Sequence, residues 1–168
     1  MVGRAKSGKR GRGAEGKELV LIAVEKTEKG IGRVRLKHIP DASGPTLEKA
    51  INEMVVPGST VRTDGWRGYS RLAAKGYTLV HDEQEPGEHP TPLVDRIASL
   101  LKRWLLGTHQ GSQQFSHMQY CLDEFTFRFN RRKSRSRGLL FLRLVQQALQ
   151  VDPIIREKLT QSSQAQIN

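Results

Sequence analysis

Two aspartates and a lysine stand where their side chains could carry out metal-dependent chemistry. Asp64 follows the strand-like run 59–63, and Asp95, 31 residues later, lies at the start of a long amphipathic helical pattern. Lys102 comes seven residues after Asp95, two turns further along the same helix face. Carboxylates so placed can hold a divalent metal ion against a phosphodiester, with the lysine directed at the DNA backbone. Such a site needs another carboxylate upstream, and we expect that the sequence begins too late to supply it.

These residues also have simpler interpretations. The dipeptide Asp64-Gly65 is a common way to begin a turn. An acidic residue in the first turn of a helix, such as Asp95, is stabilised by the helix dipole. Lys102 is then one of several exposed lysines. The residues by themselves leave both interpretations open.

The chain is strongly basic, and its charge is uneven. It has 28 Lys and Arg against 17 Asp and Glu, a net charge of +11 and a pI near 10.2. Residues 1–17 carry six basic side chains and one acid, and residues 96–143 carry ten and two. This charge predicts a polyanionic partner. Charge alone indicates a nucleic-acid enzyme and a ribosomal or architectural protein equally.

The basic stretches are the candidates for contacts with the backbone of double-stranded DNA. Their guanidinium and ammonium groups would neutralise phosphates, which gives steep salt dependence and little reading of sequence. A solvated run of charge is the alternative. The predicted DNA-binding side chains are Lys6, Lys9, Arg10, Arg12, Arg103, Arg131, Arg132, Lys133 and Arg135.

Cysteine content and hydropathy limit the class of protein further. Cys121 is the single cysteine, which excludes an intramolecular disulfide and a zinc ribbon within this sequence. No apolar run reaches the length of a membrane span, and the basic N-terminus lacks the apolar stretch of a secretory signal. We therefore expect a soluble cytoplasmic protein.

Hydrophobic periodicity predicts an α/β fold with a mixed β-sheet, packed helices and further helices at the C-terminus. Domain limits follow from composition: a flexible basic arm over 1–17, a main domain over 18–150 and a tail over 151–168. The expected strands are 19–25, 32–39, 60–63 and 77–81; the expected helices are 45–55, 69–75, 91–107, 115–130 and 139–149.

Four segments together resemble the catalytic domain of bacterial insertion-sequence transposases of the DDE superfamily. They are KRGRGAEGK before an apolar strand, VPGSTVRTDGWRGYSRLAAKGY, LLKRWLLGTHQG and YCLDEFTFRFNRR, in the order found in that family. The resemblance covers roughly residues 1–150. It implies a ribonuclease-H-like fold, metal-dependent cleavage of DNA strands and strand transfer during transposition.

The resemblance also assigns roles to individual residues. The second catalytic aspartate of the family falls on Asp64, and the third position, often Glu, falls on Asp95. The basic residue found seven positions later falls on Lys102. Asp64 and Asp95 would then be metal ligands for Mg²⁺ or Mn²⁺. The partners implied are transposon ends, target DNA and further copies of the chain.

The first catalytic aspartate of the family would lie just upstream of Met1. We therefore expect a truncated catalytic domain that binds DNA but cleaves it poorly or not at all. The alternative from another class is a non-catalytic basic DNA-binding protein, such as a remnant that competes with an intact transposase. The two hypotheses differ in whether Asp64 and Asp95 bind metal.

Overall fold

A long antiparallel hairpin is the first element of the structure. The computed structural model describes residues 18–81, 91–109 and 117–153. Strand β1 (Leu19–Thr27) pairs with β2 (Gly30–Ile39) in a register that places Leu19 opposite Ile39, with an irregularity between Val24 and Lys26. Gly30 has a φ of +102°, a backbone conformation that favours glycine at the turn.

Alternation of apolar and basic residues determines which face of the hairpin is buried. In β2, Val34 and Leu36 are buried, whereas Arg33 and Arg35 are exposed. This is the period of two expected of a half-buried strand, and it confirms the pattern predicted from the sequence.

Helix α1 (Gly44–Met54) follows the hairpin and packs against both of its strands. Pro45 lies in its first turn, where a missing N–H costs nothing. Just before it, the backbone N–H of Ser43 donates to Asp41 Oδ1 at 2.8 Å, and hydrogen bonds from Ser43 hold the pKa of the Asp41 carboxyl below its usual range. Leu47, Ala50 and Ile51 form its buried face.

A second, smaller sheet lies after α1. Strand β3 (Thr60–Thr63) pairs in parallel with β4 (Thr78–His81), so that Thr60 lies opposite Thr78 and Thr63 opposite His81. A 3₁₀ helix (Arg67–Lys75) makes the connection. It ends at Gly76, which adopts a left-handed φ of +82° as its C-cap.

Leu72 and Tyr77 join the smaller sheet to α1 and the hairpin. Leu72 is fully buried in a cluster with residues of the hairpin and of α1, and Val61 and Leu79 pack against that cluster. The Tyr77 hydroxyl donates to the Val55 carbonyl at 2.9 Å. One core therefore lies beneath both sheets and fixes β3.

Helix α2 (Pro92–His109) packs on β1 and buries Ile97, Leu101 and Leu105. The chain divides into two compact units, Met1–Ser112 and Gln113–Asn168, and α2 is the last described element of the first. The second contains α3 (Met118–Asn130) and α4 (Arg137–Ala148).

Cys121 lies half-buried in α3, as a small apolar residue would. Desolvation by burial raises the pKa of its thiol, and the nearby Glu124 carboxylate adds to that effect. The thiol therefore stays protonated, and poorly nucleophilic, at neutral pH.

The mixed α/β class is confirmed, but three details differ from the prediction. In place of one mixed sheet, the described residues form two separate two-stranded sheets. Gly107 does not end α2, which continues to His109, because an interior glycine is unfavourable but tolerated. Residues 69–75 belong to a 3₁₀ helix that begins at Arg67.

Two predictions fall on residues outside those described: the basic arm 1–17 and most of the tail, 154–168. Across the described ranges, no helix has the length and apolar character needed to cross a membrane.

Leu72→Ala should lower the free energy of unfolding by about 2–5 kcal/mol, because Leu72 is fully buried and the substitution leaves a cavity between α1 and the smaller sheet. Val56→Ala, at a side chain that is 75% exposed, should change it by less than about 0.5 kcal/mol. Urea unfolding followed by circular dichroism measures both, and equal effects would contradict this description of the core.

Candidate functional site

Asp64 stands at the carboxyl end of β3, on the edge of the smaller sheet. Thr63, the residue before it, is buried, and it is paired with His81 at the end of β4. Because the strands are parallel, both carboxyl ends lie at this edge. Asp64 itself is exposed. The strand thus holds a solvent-facing carboxylate on a backbone that is fixed by the burial of Thr63 and by its pairing with β4.

The turn after β3 orients the Asp64 carboxylate. The Trp66 backbone N–H donates to Asp64 Oδ1 at 3.2 Å, and the Gly65 N–H donates to Thr63 Oγ1 at 3.4 Å. Gly65 has a φ of +75°, which lets the chain reverse directly after the aspartate. Asp64 therefore begins a turn, as the simpler interpretation of the sequence proposed. The hydrogen bond from the Trp66 N–H also orients its carboxylate.

Trp66 ties the turn to the segment that precedes α1. Its indole N–H donates to the Ala42 carbonyl at 3.0 Å. At Gly68, an added Cβ would lie 2.7 Å from Trp66 Nε1 and 2.8 Å from Leu47 Cδ1. Only glycine allows so close an approach, so the turn, the indole and α1 depend on one another.

Asp95 and Lys102 both lie on the exposed side of α2. Asp95 is in the first turn, where its backbone N–H donates to the Thr91 carbonyl at 3.0 Å. Lys102 is two turns later on the same face, about 10.5 Å along the axis. Arg103 is exposed as well. The buried face of α2 holds these side chains toward solvent, as the sequence pattern predicted.

The structure places Asp64 and Asp95 in the same compact unit, both exposed. Within residues 18–81, 91–109 and 117–153, no group of three or more His, Cys, Asp or Glu side chains is arranged to hold a metal ion. The described residues therefore offer exposed carboxylates with hard oxygen ligands, without forming a three-ligand cluster among themselves.

The basic loop, residues 131–136, joins α3 to α4, and aromatic rings support its first two arginines. The Arg131 guanidinium lies 3.8 Å from the centre of the Phe127 ring, and that of Arg132 lies 4.0 Å from the centre of the Phe129 ring. Arg132 Nη1 also donates to the Phe129 carbonyl at 3.0 Å. Such stacking restricts each guanidinium while leaving its edge for further hydrogen bonds.

The other predicted DNA-binding residues divide into two sets. Lys133 and Arg135 are exposed in the basic loop. Lys6, Lys9, Arg10 and Arg12 lie outside the described residues.

Sequence reasoning missed Arg143 and the glutamines of α4. These side chains line a polar concavity on the second unit, together with Arg131 and Leu149. The residues of α4 and its end that line it are Arg143, Gln146, Gln147, Leu149 and Gln150. The polar residues 143, 146, 147 and 150 recur at helical spacing, and this spacing is the signal that would have found them.

Comparison with known families identifies the class of protein to which the chain belongs. Residues 2–130 match the family described as the ISXO2-like transposase domain, and the chain belongs to that family of insertion-sequence DDE-type transposases. No curated protein and no solved structure matches the chain. Membership implies DNA as the partner, and DDE transposases generally use divalent metal ions.

Gly68→Ala should lower the free energy of unfolding by about 1–3 kcal/mol and move the Trp66 indole, because the new methyl group overlaps both Trp66 and Leu47. The matched control is Gly107→Ala in α2, where an added Cβ meets nothing within 4 Å. That change should be neutral or stabilise by up to about 1 kcal/mol. Tryptophan fluorescence and urea unfolding measure both, and a neutral Gly68→Ala would show that the turn does not need this close contact.

Proposed function

We propose that Asp64 and Asp95 supply two carboxylates of a divalent-metal site that cleaves DNA strands and transfers them during transposition. The observation that carries this proposal is the exposed Asp64 on a fixed strand end, in a chain that belongs to a transposase family. The ribonuclease-H-like arrangement is part of the proposal. The order of elements supports it: an antiparallel hairpin is followed by a helix and a parallel strand pair. The division of the described strands into two sheets does not.

Asp64 suits this role because little of its backbone has to be ordered when a ligand binds. Its strand is paired, the preceding Thr63 is buried, and the following turn is tied by the Trp66 indole. A carboxylate held in advance loses less entropy on binding a metal ion than one on a loose loop.

Mg²⁺ or Mn²⁺ fits the two aspartates, which offer hard, exposed oxygen ligands. When held by these carboxylates, such ions would supply activation of the attacking water or 3′-hydroxyl and stabilisation of the leaving oxygen. Lys102, on the Asp95 face of α2, is assigned to a DNA phosphate near the reacting strand. Arg103 is assigned to the neighbouring backbone.

The basic loop and the arm are proposed to hold the DNA. Arg131 and Arg132 are restrained by their phenylalanines, so their guanidiniums can meet phosphates with a smaller loss of entropy. Lys133 and Arg135 add exposed positive charge to the same loop. Lys6, Lys9, Arg10 and Arg12 stay assigned to DNA contacts on the basis of sequence.

A second candidate is a non-catalytic DNA-binding protein, which the restrained guanidiniums of Arg131 and Arg132 support as well. It shares the DNA contacts of the first proposal and lacks the metal. The two candidates differ at Asp64, since a pure DNA-binding protein is indifferent to the loss of that carboxylate.

Asp64→Asn should weaken Mn²⁺ binding at least tenfold, because it removes an anionic ligand and keeps the shape of the side chain. Asp123→Asn, the same change at an exposed aspartate of α3, should leave binding unchanged. Isothermal titration calorimetry measures both, and circular dichroism checks folding. Equal Mn²⁺ affinities for wild type and Asp64→Asn would contradict a metal site at Asp64 and would favour the non-catalytic candidate.

A plasmid-nicking assay on the same proteins tests cleavage separately. Mg²⁺-dependent nicking that Asp64→Asn abolishes would support the metal site, and equal nicking by both proteins would contradict it.

Arg131→Ala/Arg132→Ala should weaken binding to duplex DNA and reduce the slope of log K against log salt by about 1.8, if each arginine neutralises one phosphate. Arg33→Ala/Arg35→Ala removes the same charge from the exposed side of β2 and should leave the slope nearly unchanged. Fluorescence anisotropy across a salt series gives both slopes. Identical reductions in slope would mean that DNA binding depends on the net charge of the chain and not on the position of these arginines.

A further inference from the structure

The polar concavity on the second unit is lined by two arginines from different elements. Its volume is about 560 Å³, a size typical of sites that bind small ligands. Arg131 reaches it from the start of the basic loop, and Arg143 reaches it from α4. The six described residues that line it are Arg131, Arg143, Gln146, Gln147, Leu149 and Gln150, and none of these six is acidic. Two cations at one concavity, without a carboxylate among those residues, favour an anionic ligand there.

Arg131 is restrained in the absence of any ligand. Its guanidinium lies 3.8 Å from the centre of the Phe127 ring, one turn back on α3. Arg131 is half-buried, whereas Arg143 is exposed. A guanidinium stacked on a ring keeps the N–H groups at its edge, and these groups match the oxygens of a phosphate. One phosphate group therefore suits the two arginines.

The three glutamines add a different chemistry to the same concavity. Gln146, Gln147 and Gln150 lie in the last turn of α4 or directly after it, and all three are exposed. A side-chain amide carries a donor and an acceptor side by side, and so does the Watson–Crick edge of every nucleobase. Leu149, which is 81% exposed, gives the lining an apolar side chain on which the face of a base can pack. Groups suited to a phosphate and groups suited to a base thus line one concavity.

We propose that this concavity binds a single unpaired nucleotide of the DNA, with its phosphate on Arg131 and Arg143 and its base edge on the glutamines. The inference rests on the DNA binding proposed above and adds a site to it. An unpaired nucleotide fits better than a duplex, because a paired base uses its Watson–Crick edge within the duplex and a concave surface does not enter a groove. A strand end produced by cleavage supplies such a nucleotide, since a base that is already single-stranded costs least to unstack.

Fluorescence anisotropy of the full chain with three DNA duplexes tests this site. One duplex is blunt, one carries a short single-stranded 3′ overhang, and one carries the same overhang with abasic residues in place of nucleotides. Wild type should bind the normal overhang about tenfold more tightly than the blunt end, as one or two additional hydrogen bonds would give. The abasic overhang should lose most of this preference, because it keeps the phosphates and lacks the base edge.

Gln147→Ala/Gln150→Ala should reduce the preference for the normal overhang to about twofold, because it removes the amides that contact the base. Binding to the blunt duplex should stay unchanged. Gln119→Ala is the matched control, since it removes a glutamine of α3 that is not among the lining residues, and it should keep the full preference.

Arg143→Ala should weaken binding to both overhangs more than binding to the blunt duplex, because it removes a contact to the phosphate of the unpaired nucleotide. Arg137→Ala removes the same charge from α4 at a position that is not among the lining residues, so it should leave the ratio of the three affinities unchanged. The substituted side chains in and after α4 are exposed, so these variants should keep the circular dichroism of wild type.

Equal affinities of wild type for the normal overhang and the blunt duplex would overturn the proposal and leave the DNA contacts of the basic loop intact. A preference that Gln147→Ala/Gln150→Ala keeps would overturn it too, because the unpaired nucleotide would then bind elsewhere. Failure to bind any of the three duplexes would contradict the proposed DNA binding as well. The measurements are made without divalent metal ions, so they do not depend on the metal site.

Discussion

The exposed position of Asp64 depends on a close approach between the backbone at Gly68, the Trp66 indole and Leu47 of α1. The indole, in turn, holds the Ala42 carbonyl just before α1. Beneath this contact, Leu72 connects the 3₁₀ helix to the core shared by the hairpin and α1. The carboxylate can face solvent on a rigid edge because the residues on both sides of it are fixed by packing that involves distant parts of the unit.

This arrangement gives Asp64 two roles that do not conflict. One carboxylate oxygen accepts from the Trp66 N–H and so stabilises the turn. A carboxylate has about four lone-pair sites, so accepting this hydrogen bond is compatible with binding a metal ion. On α2, Asp95 similarly serves the helix terminus and faces solvent on the side that carries Lys102. Asp64 and Asp95 thus stabilise the turn and the helix in which they lie, and they are also the candidate metal ligands.

Local patterns in the sequence predicted most of these positions. Alternation in residues 32–39 gave β2, and β-forming residues before Asp64 gave β3. Apolar spacing in α2 placed Asp95 and Lys102 on one exposed face. These features depend on neighbours within a few residues, and such signals are visible in a sequence.

Long-range features could not be predicted in the same way. Pairing between strands depends on residues far apart in the chain, so one mixed sheet was expected where the described residues form two. The stacking of Arg131 on Phe127 depends on the path of the basic loop. The exposure of apolar side chains of α4, such as Phe141 and Leu144, could not be predicted either, because an apolar helix has the same sequence pattern whether or not it is buried.

Paramagnetic broadening by Mn²⁺ in the amide spectrum of the ¹⁵N-labelled chain tests the metal site most directly. At substoichiometric Mn²⁺, the amides of Gly65, Trp66 and Arg96 should broaden first, because they adjoin Asp64 and Asp95. Amides beside another exposed aspartate, such as those of Leu122 and Glu124 next to Asp123, should broaden only at higher concentrations. Broadening that begins elsewhere, or is uniform along the chain, would contradict a metal site at these two aspartates.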